Sequence, residues 1–386
     1  EGIELSAGFT ATANAEMKVG GLEETVTVTG ASPTVDIQNV RTQQVMKSET
    51  LDALPSGQKD LTAFASLTLG AMPQQAGRND VGGDKAELST GLAIHGSRGD
   101  DGRTNFDGMN TNVFYGGGGG QQRIYKFNTI SVQETVIDTG AANAETETGG
   151  ANINMVPRDG GNTFRMNSLV NFTNEDFASG KVPSQLVARG APAESLTMKK
   201  VYDFGIGVGG PVMQDKVWFY SGNRWWGNEV YASRNYFNKS QNWRFYQPDT
   251  DRVGFSDQDY KDYSVRLTWQ ATARNKITGM VGWQKACACY MGIGGQAAPE
   301  STTSFLYGYP MYLTQVTWSM PATNKLLLQA GGSFLNQSVQ FTSRGAPIPN
   351  QISILDQIGV AGGAPPQYRY NALTGSAQND NGVPQI

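Results

Sequence analysis

From residue 163 onward, apolar and polar side chains alternate with a period of two. Phe164, Met166, Ser168, Val170 and Phe172 alternate with Arg165, Asn167 and Asn171. Phe204, Ile206 and Val208 alternate with glycines, and Tyr263, Val265, Leu267 and Trp269 alternate with Ser264, Arg266 and Thr268. Ile277, Gly279, Val281 and Trp283 form another stripe, followed by Val316 and Trp318 and then by Leu326, Leu328 and Ala330. Each stripe predicts a β-strand with one apolar face. Seven strands follow, joined in alternation by short connections (210–216, 271–275, 319–324) and long polar ones (174–200, roughly 227–260, 286–308). A transmembrane barrel segregates tight turns to one end and long loops to the other, whereas a soluble sandwich has no reason to. Trp218, Tyr220, Trp225, Trp226, Trp243, Trp269, Trp283 and Trp318 fall near the predicted strand ends, where amphipathic rings suit the lipid headgroup level.

The chain before residue 163 has a different texture. Residues 1–23 read as two short strands, too few to make a core alone, and suggest the end of a small β-sandwich. Residues 24–36 hold the extended, β-branched Glu24-Thr25-Val26-Thr27-Val28 and a linker with Pro33. Residues 37–162 predict a compact mixed α/β domain. Ser48 to Pro55 suggests a capped helical turn, and 58–69 places Leu61, Phe64 and Ala65 on one helical face. Asp107-Gly108 signals a tight hairpin, while 130–137 and 151–156 predict strands. Arg158 to Asn162 then breaks the chain.

Composition agrees with an all-β chain rich in turns. Gly makes up 48 of 386 residues and aromatics 10%, against ~7% Gly on average. No run of 18 apolar residues occurs, which excludes a membrane-spanning helix and leaves a barrel open. The formal charge of −4, without a basic patch, argues against a nucleic-acid partner. One histidine, His95, and two cysteines cannot supply a zinc site of several His or Cys ligands, and no cofactor is implied.

The order of motifs before residue 163 resembles TonB-dependent outer-membrane receptors. The series is Glu24 to Gly30, Leu54-Pro55, Gly96-Ser97-Arg98, Asn105-Phe106-Asp107-Gly108, Val132 to Val136, Gly149 to Val156 and Asp159 to Phe164. Gly209-Gly210-Pro211-Val212 and Asp215 to Phe219 resemble the first tight barrel turn of the Oar-like group, in which a carboxypeptidase-regulatory-like domain comes first. Thr146-Glu147 and Arg158-Asp159 depart from that group's usual residues.

The resemblance implies a plug over 37–162, inside an outer-membrane barrel that starts at 163, occupies 163–386 and is expected to continue further. It implies a plug motif at Gly96, Arg98, Asp107 and Gly108. It also implies energised import of a scarce bulky solute, with Glu24 to Val28 engaging the inner-membrane protein TonB. No enzyme activity is implied. The other reading of the scaffold is a non-enzymatic adhesin or surface-assembly protein.

Three smaller features have plain expectations. Arg98-Gly99-Asp100 spells an adhesion tripeptide, but it falls within the plug motif. Asp249, Asp251, Asp257 and Asp259 suggest an acidic external loop without the full calcium-loop pattern. Cys287 and Cys289 can pair in an oxidising compartment, yet a bridge across one residue is strained, so separate thiols are the first expectation.

Overall fold

In a computed structural model, the protein is described over residues 42–47, 50, 67–73, 92–98, 101–112, 125–140, 149–177, 182–190, 198–239, 245–291, 293, 297–343, 354–356, 368–370 and 377–385. The expectations for 1–36, including Glu24 to Val28, lie outside these residues, as do Trp243 and nearly all of the predicted helices at 48–55 and 58–69.

The described chain is mainly β. A five-stranded sheet is built from β1 (Thr42–Lys47), β4 (Arg103–Phe106), β5 (Met109–Asn110), β6 (Val132–Gly140) and β7 (Asn152–Pro157), in the order β1-β6-β7-β4-β5. Only the β4–β7 pair is parallel. A two-stranded ribbon of β2 (Ala71–Pro73) and β3 (Leu92–Ile94) lies beside it in sequence. The predicted alternation at 151–156 appears as buried Ala151, Ile153 and Met155. These residues join Met46, Leu92, Phe106, Phe127, Val132 and Ile137 in one core. Asp107 and Gly108 form the β4–β5 turn at φ 52° and 78°, the left-handed conformation that a two-residue hairpin demands.

The second sheet has eight antiparallel strands. They are β8 (Arg165–Asn174), β9 (Met198–Met213), β10 (Val217–Asn238), β11 (Pro248–Gln270), β12 (Lys276–Met291), β13 (Thr303–Thr323), β14 (Leu326–Ser343) and β17 (Ala377–Gln385). Each pairs with the next in that order, leaving β8 and β17 as edges among the described residues. The hairpin β15 (Ile354–Asp356) and β16 (Tyr368–Tyr370) stands between β14 and β17 in sequence.

Period-two alternation divides this sheet into two faces. One is covered by the small sheet and carries Asp262, Ser264, Arg266 and Thr268, all buried. The open face carries Val265, Leu267, Trp269, Val281, Trp283 and Val316, each 41–54% exposed. Open-face positions six residues apart mark two levels on three neighbouring strands: Tyr263 and Trp269, Trp283 and Ile277, Tyr312 and Trp318. At ~3.4 Å per residue they stand about 20 Å apart along the strand. At the upper level Tyr263 stacks on Trp283 at 5.4 Å, and Trp225 meets Tyr263 edge-on at 5.9 Å. An apolar belt between two aromatic levels is the outer surface of a membrane barrel.

This belt gives a direct test. Val281→Arg, midway between the levels, is expected to destabilise the lipid-embedded protein by about 2–4 kcal/mol. Leu326→Arg, at the turn rim, is expected to cost about 0–1 kcal/mol. Denaturant unfolding from phospholipid vesicles measures both. Equal costs at the two positions would reject the membrane belt.

Several expectations need correction. The connections predicted at 227–260 and 286–308 are largely strand, because β10 runs to Asn238, β11 starts at Pro248 and β13 starts at Thr303. Beyond the lipid both faces meet polar surroundings, so alternation stops while backbone pairing continues. Asp249, Asp251, Asp257 and Asp259 therefore sit on β11 rather than in a loop. Among the described residues, no cluster of three acidic, His or Cys groups is placed to hold a metal. Ala377–Gln385, which carries no apolar stripe, forms β17, an eighth strand in place of the seven expected. Tyr220 and Trp226 are buried on the covered face rather than placed at a lipid interface. Cys287 and Cys289 are joined as a disulfide across Ala288, with Cα atoms 5.1 Å apart.

Candidate functional site

The interface between the two sheets is where chemistry concentrates. On its β12–β14 side Met280, Met311, Leu313 and Leu335 extend the core of the small sheet, beside buried Gln284 and Gln315, which bond to backbone of the covering segment. On its β9–β11 side it is polar. These polar residues are the ones that alternate with the lipid stripe. Every second residue of a lipid-facing strand must point to the covered side, and there the backbone and side chains of the small sheet supply partners.

Arg266 on β11 anchors the first cluster. Its Nη1 donates to Asp107 Oδ2 at 2.8 Å and its Nε to Asp159 Oδ1 at 2.6 Å. Asp159 also accepts from Thr268 Oγ1 at 3.0 Å and lies 3.3 Å from Lys276 Nζ. Burial pushes the Asp159 carboxyl upward, but the Arg266 guanidinium and Lys276 outweigh it and hold the group below its ordinary range. Asp107 is positioned by the β4–β5 turn, where its N–H donates to Met155 O and the Gly108 N–H donates to Asn154 Oδ1. Asp159 belongs to the connection that carries the chain from β7 into β8. One arginine therefore ties both the hairpin tip and the exit of the small sheet to the large one.

The second cluster surrounds Asp262, which is fully buried. Its carboxylate accepts from Tyr125 Oη at 3.1 Å, Asn128 Nδ2 at 2.9 Å and Gln284 Nε2 at 3.1 Å. Gln284 also pairs with the Lys126 peptide, accepting its N–H at 2.8 Å and donating to its C=O at 2.6 Å. This side chain imitates a β-ladder partner for a segment that pairs with no strand among the described residues. A third set fixes the next residues: Tyr220 Oη donates to Ile130 O at 2.7 Å, and the Ser131 and Ser264 hydroxyls are 2.7 Å apart. Glycines let segment 125–131 approach this closely. A Cβ at Gly207 would collide with Ile130, and one at Gly222 would fall on the Ser131 hydroxyl.

Level with Asp262, its register partner across β10 and β11, Arg224 forms a two-pronged bond with Asp203, both contacts 2.8 Å. Arg224 also lies 4.5 Å from the Trp226 ring, which stacks on Tyr260 at 5.1 Å. At the long-loop end, Tyr246 packs on Tyr368 and Tyr370, and Ala298 N–H donates to Arg369 O. Connections from three hairpins thus meet there.

Of the four plug-motif residues named from sequence, Asp107 alone makes a described contact with the large sheet. Gly108 supports the turn. Gly96 sits at φ 82° after β3 and lines a cavity of about 510 Å³ with His95, Asp138 and Asn152. Arg98 is exposed, as is His95. The sequence gives no separate role to Arg266, Asp262 or Gln284, and Tyr220, expected at the lipid interface, belongs here instead. Their signal was present, since each is a polar or amphipathic residue on a strand whose alternate positions face lipid.

No family model matches the chain. It is 29% identical over 228 residues to the TonB-dependent transporter Oar of Myxococcus xanthus, covering 57% of this chain and 20% of that one. It superimposes on the outer-membrane transporter YddB of Escherichia coli with a TM-score of 0.61 at 11% identity, covering 89% of this chain and 44% of that one. For the siderophore receptor PirA of Acinetobacter baumannii the TM-score is 0.55 at 15% identity, with the same coverage. The chain thus spans a fifth of the curated relative it matches and less than half of these solved structures. These relatives are transporters and receptors rather than enzymes. The fold is that of the TonB-dependent outer-membrane receptors, and the sequence is similar to the Oar transporter among them.

Proposed function

We propose that the protein is a gated outer-membrane importer in which the small sheet is the plug. Residues 37–162 form the plug and 163–386 the first part of the barrel wall, preceded by a coupling segment within 24–36 and a sandwich-like end at 1–23. The supporting observation is the polar β9–β11 interface. A gate must part from the wall and return. Hydroxyl and amide contacts can be exchanged for water at a net cost of about 1 kcal/mol each, and charged ones at about 1.5–3 kcal/mol. A wholly apolar interface would lose its full buried area instead. The β12–β14 side, where Met280, Met311, Leu313 and Leu335 pack, then acts as the hinge and the Arg266 side as the latch. The cargo is a bulky solute too scarce for passive entry, reaching the plug from the long-loop end.

The energy source in this reading is TonB, engaging Glu24 to Val28 as an added strand. Val26→Pro removes one ladder donor and fixes φ. In the full-length protein, uptake of the solute is expected to fall while binding at the cell surface is unchanged. Radiolabelled-solute uptake and binding on whole cells measure the two. Undiminished uptake in Val26→Pro would assign coupling to another segment.

A further inference from the structure

We propose that the Cys287–Cys289 disulfide is a redox switch, opened by a low-molecular-weight thiol outside the cell, that sets how the connection between β12 and β13 packs on the barrel wall. The bridge sits where β12 changes phase. Buried side chains along this strand fall at even positions, Met280, Gln284 and Ala286, and then at Cys289. The backbone breaks at the same place. Pairing of β12 with β11 ends with Gln258 opposite Ala288, and its register with β13 shifts between Ala288 and Met291. The two cysteine Cα atoms are 5.1 Å apart, against the ~6.7 Å that two residues of regular strand span. The bridge therefore draws the strand in at the point of the phase change, and a change of one residue sends later side chains to the opposite face.

Tyr290 is the side chain that this moves. The register of Gln258 and Ala288, carried three residues on, sets Met291 opposite Phe255 and leaves Tyr290 on the other face. Instead the Tyr290 ring meets Phe255 at 5.2 Å and Phe237 at 5.9 Å, both edge-on. The connection that follows is fastened in turn. A Cβ on Gly254 would meet Ile293 and Pro299 at 2.9 Å. Ala298 N–H donates to Arg369 O at 2.7 Å, and Asn238 N–H donates to Glu300 Oε1 at 3.2 Å. Cys287 lies about 14 Å beyond the Trp283 level at ~3.4 Å per residue, on the long-loop side and clear of the lipid belt. It is half-buried and Cys289 is buried. An incoming thiolate therefore attacks Cys287 Sγ, and Cys289 Sγ leaves as a thiolate and takes up a proton. A second thiol attacks the small-molecule sulfur of the mixed disulfide and frees Cys287. Two thiols are oxidised to one small disulfide, and the protein disulfide is reduced to two thiols. With the bridge open, β12 extends to its regular rise, Tyr290 turns to the covered face, and the connection loses its seat on Phe237 and Phe255.

This inference rests on the membrane orientation above, and its test separates the two. The full-length protein in detergent is compared with and without dithiothreitol. Iodoacetamide tagging read by mass spectrometry should count no thiol before reduction and both after it. Amide hydrogen exchange at Ala298, Ser301 and Thr302 is expected to quicken roughly tenfold or more on reduction, while exchange from Thr278 to Gln284 stays at the parent rate. Cys287→Ser/Cys289→Ser should exchange like the reduced parent and ignore dithiothreitol. Tyr290→Ala, which keeps the bridge, should show the faster exchange while still oxidised. Two tagged thiols with unchanged exchange would make the bridge a passive staple and overturn the switch. Quickening that extends through Thr278 to Gln284 would make it a general stabiliser, with the same consequence. A bridge that resists dithiothreitol in the folded protein would also overturn it, and slow exchange in oxidised Tyr290→Ala would remove Tyr290 as the moving part. For the orientation, intact cells are reduced and treated with a maleimide on a polyethylene glycol chain too large to cross the outer membrane. Labelling is expected on intact cells. Labelling only after lysis would overturn the orientation and the external thiol, whatever the exchange rates in detergent.

Discussion

Arg266→Ala is expected to loosen the small sheet from β11 at a cost of about 2–4 kcal/mol. The change strips the described ion-pair partner from Asp107 and one of two cations from Asp159. The two carboxylates are only partly buried, at 23% and 34% side-chain exposure, which keeps the cost in that range rather than higher. Arg266→Lys should recover only part of it, because an ammonium cannot reach two carboxylates with the fixed fork of a guanidinium. The functional readout is leakage. In planar bilayers the full-length Arg266→Ala protein should conduct ions above the parent level, while Arg274→Ala, an exposed turn substitution, should not. Identical conductance in all three would remove the latch from the mechanism.

Acid should act on the same contact with a defined sign. The Asp159 carboxyl is held below its ordinary value in the folded protein. Its contribution is therefore complete above the unfolded value of about 3.9. It is lost only as the pH falls through the lower folded value. Conductance of the parent should stay flat from pH 8 to about pH 5 and rise below about pH 4.

The barrel half of the fold was legible because lipid imposes a rule on sequence. An apolar residue at every second position, as at Val265, Leu267 and Trp269, has no other economical use. Loop length segregated by end then fixed the orientation of each hairpin. Legibility stopped where lipid stopped. The upper half of β10, from Gly227 to Asn238, continues its pairing with β11, while the sequence there carries no apolar stripe of period two. β17 was invisible for the same reason: AQNDNGVPQ has no apolar face, and its pairing with β14 is a property of the backbone.

The site was half legible. Asp107-Gly108 was found because a two-residue turn demands particular residues. Its role was not, because nothing local says that Asp107 reaches Arg266, 159 positions away. The glycines alternating with Phe204 and Ile206 were recorded without a reason. They face the covered side, where Gly205 and Gly207 make room for Ile130. The disulfide ran against expectation because strain across one residue argues only about probability. The Cα atoms stand 5.1 Å apart, closer than the ~6.7 Å that two residues of regular strand span, so the strand contracts locally at this bridge.

Asp262→Ala is expected to be the most damaging single change on the covered face. Three donors converge on this carboxylate, from Tyr125, Asn128 and Gln284, and all lie in the buried interface. A buried donor left without an acceptor costs about 1–3 kcal/mol, so the sum reaches roughly 3–5 kcal/mol after partial repairing by entering water. Asp262→Asn retains the shape and one acceptor oxygen but turns an amide toward groups that are themselves donors, so about 1–3 kcal/mol should be lost. The damage should be local before it is global. Gln284 would lose the bond that orients its amide toward the Lys126 peptide. Amide hydrogen exchange across 125–131 should therefore quicken by an order of magnitude or more, since about 1.4 kcal/mol is tenfold in an opening equilibrium. Exchange at Ile137 and Ile153, in the core of the small sheet, should stay at the parent rate. Uniform acceleration of all these amides would mean that Asp262 holds up the whole fold, and an unchanged 125–131 segment would mean that it holds nothing.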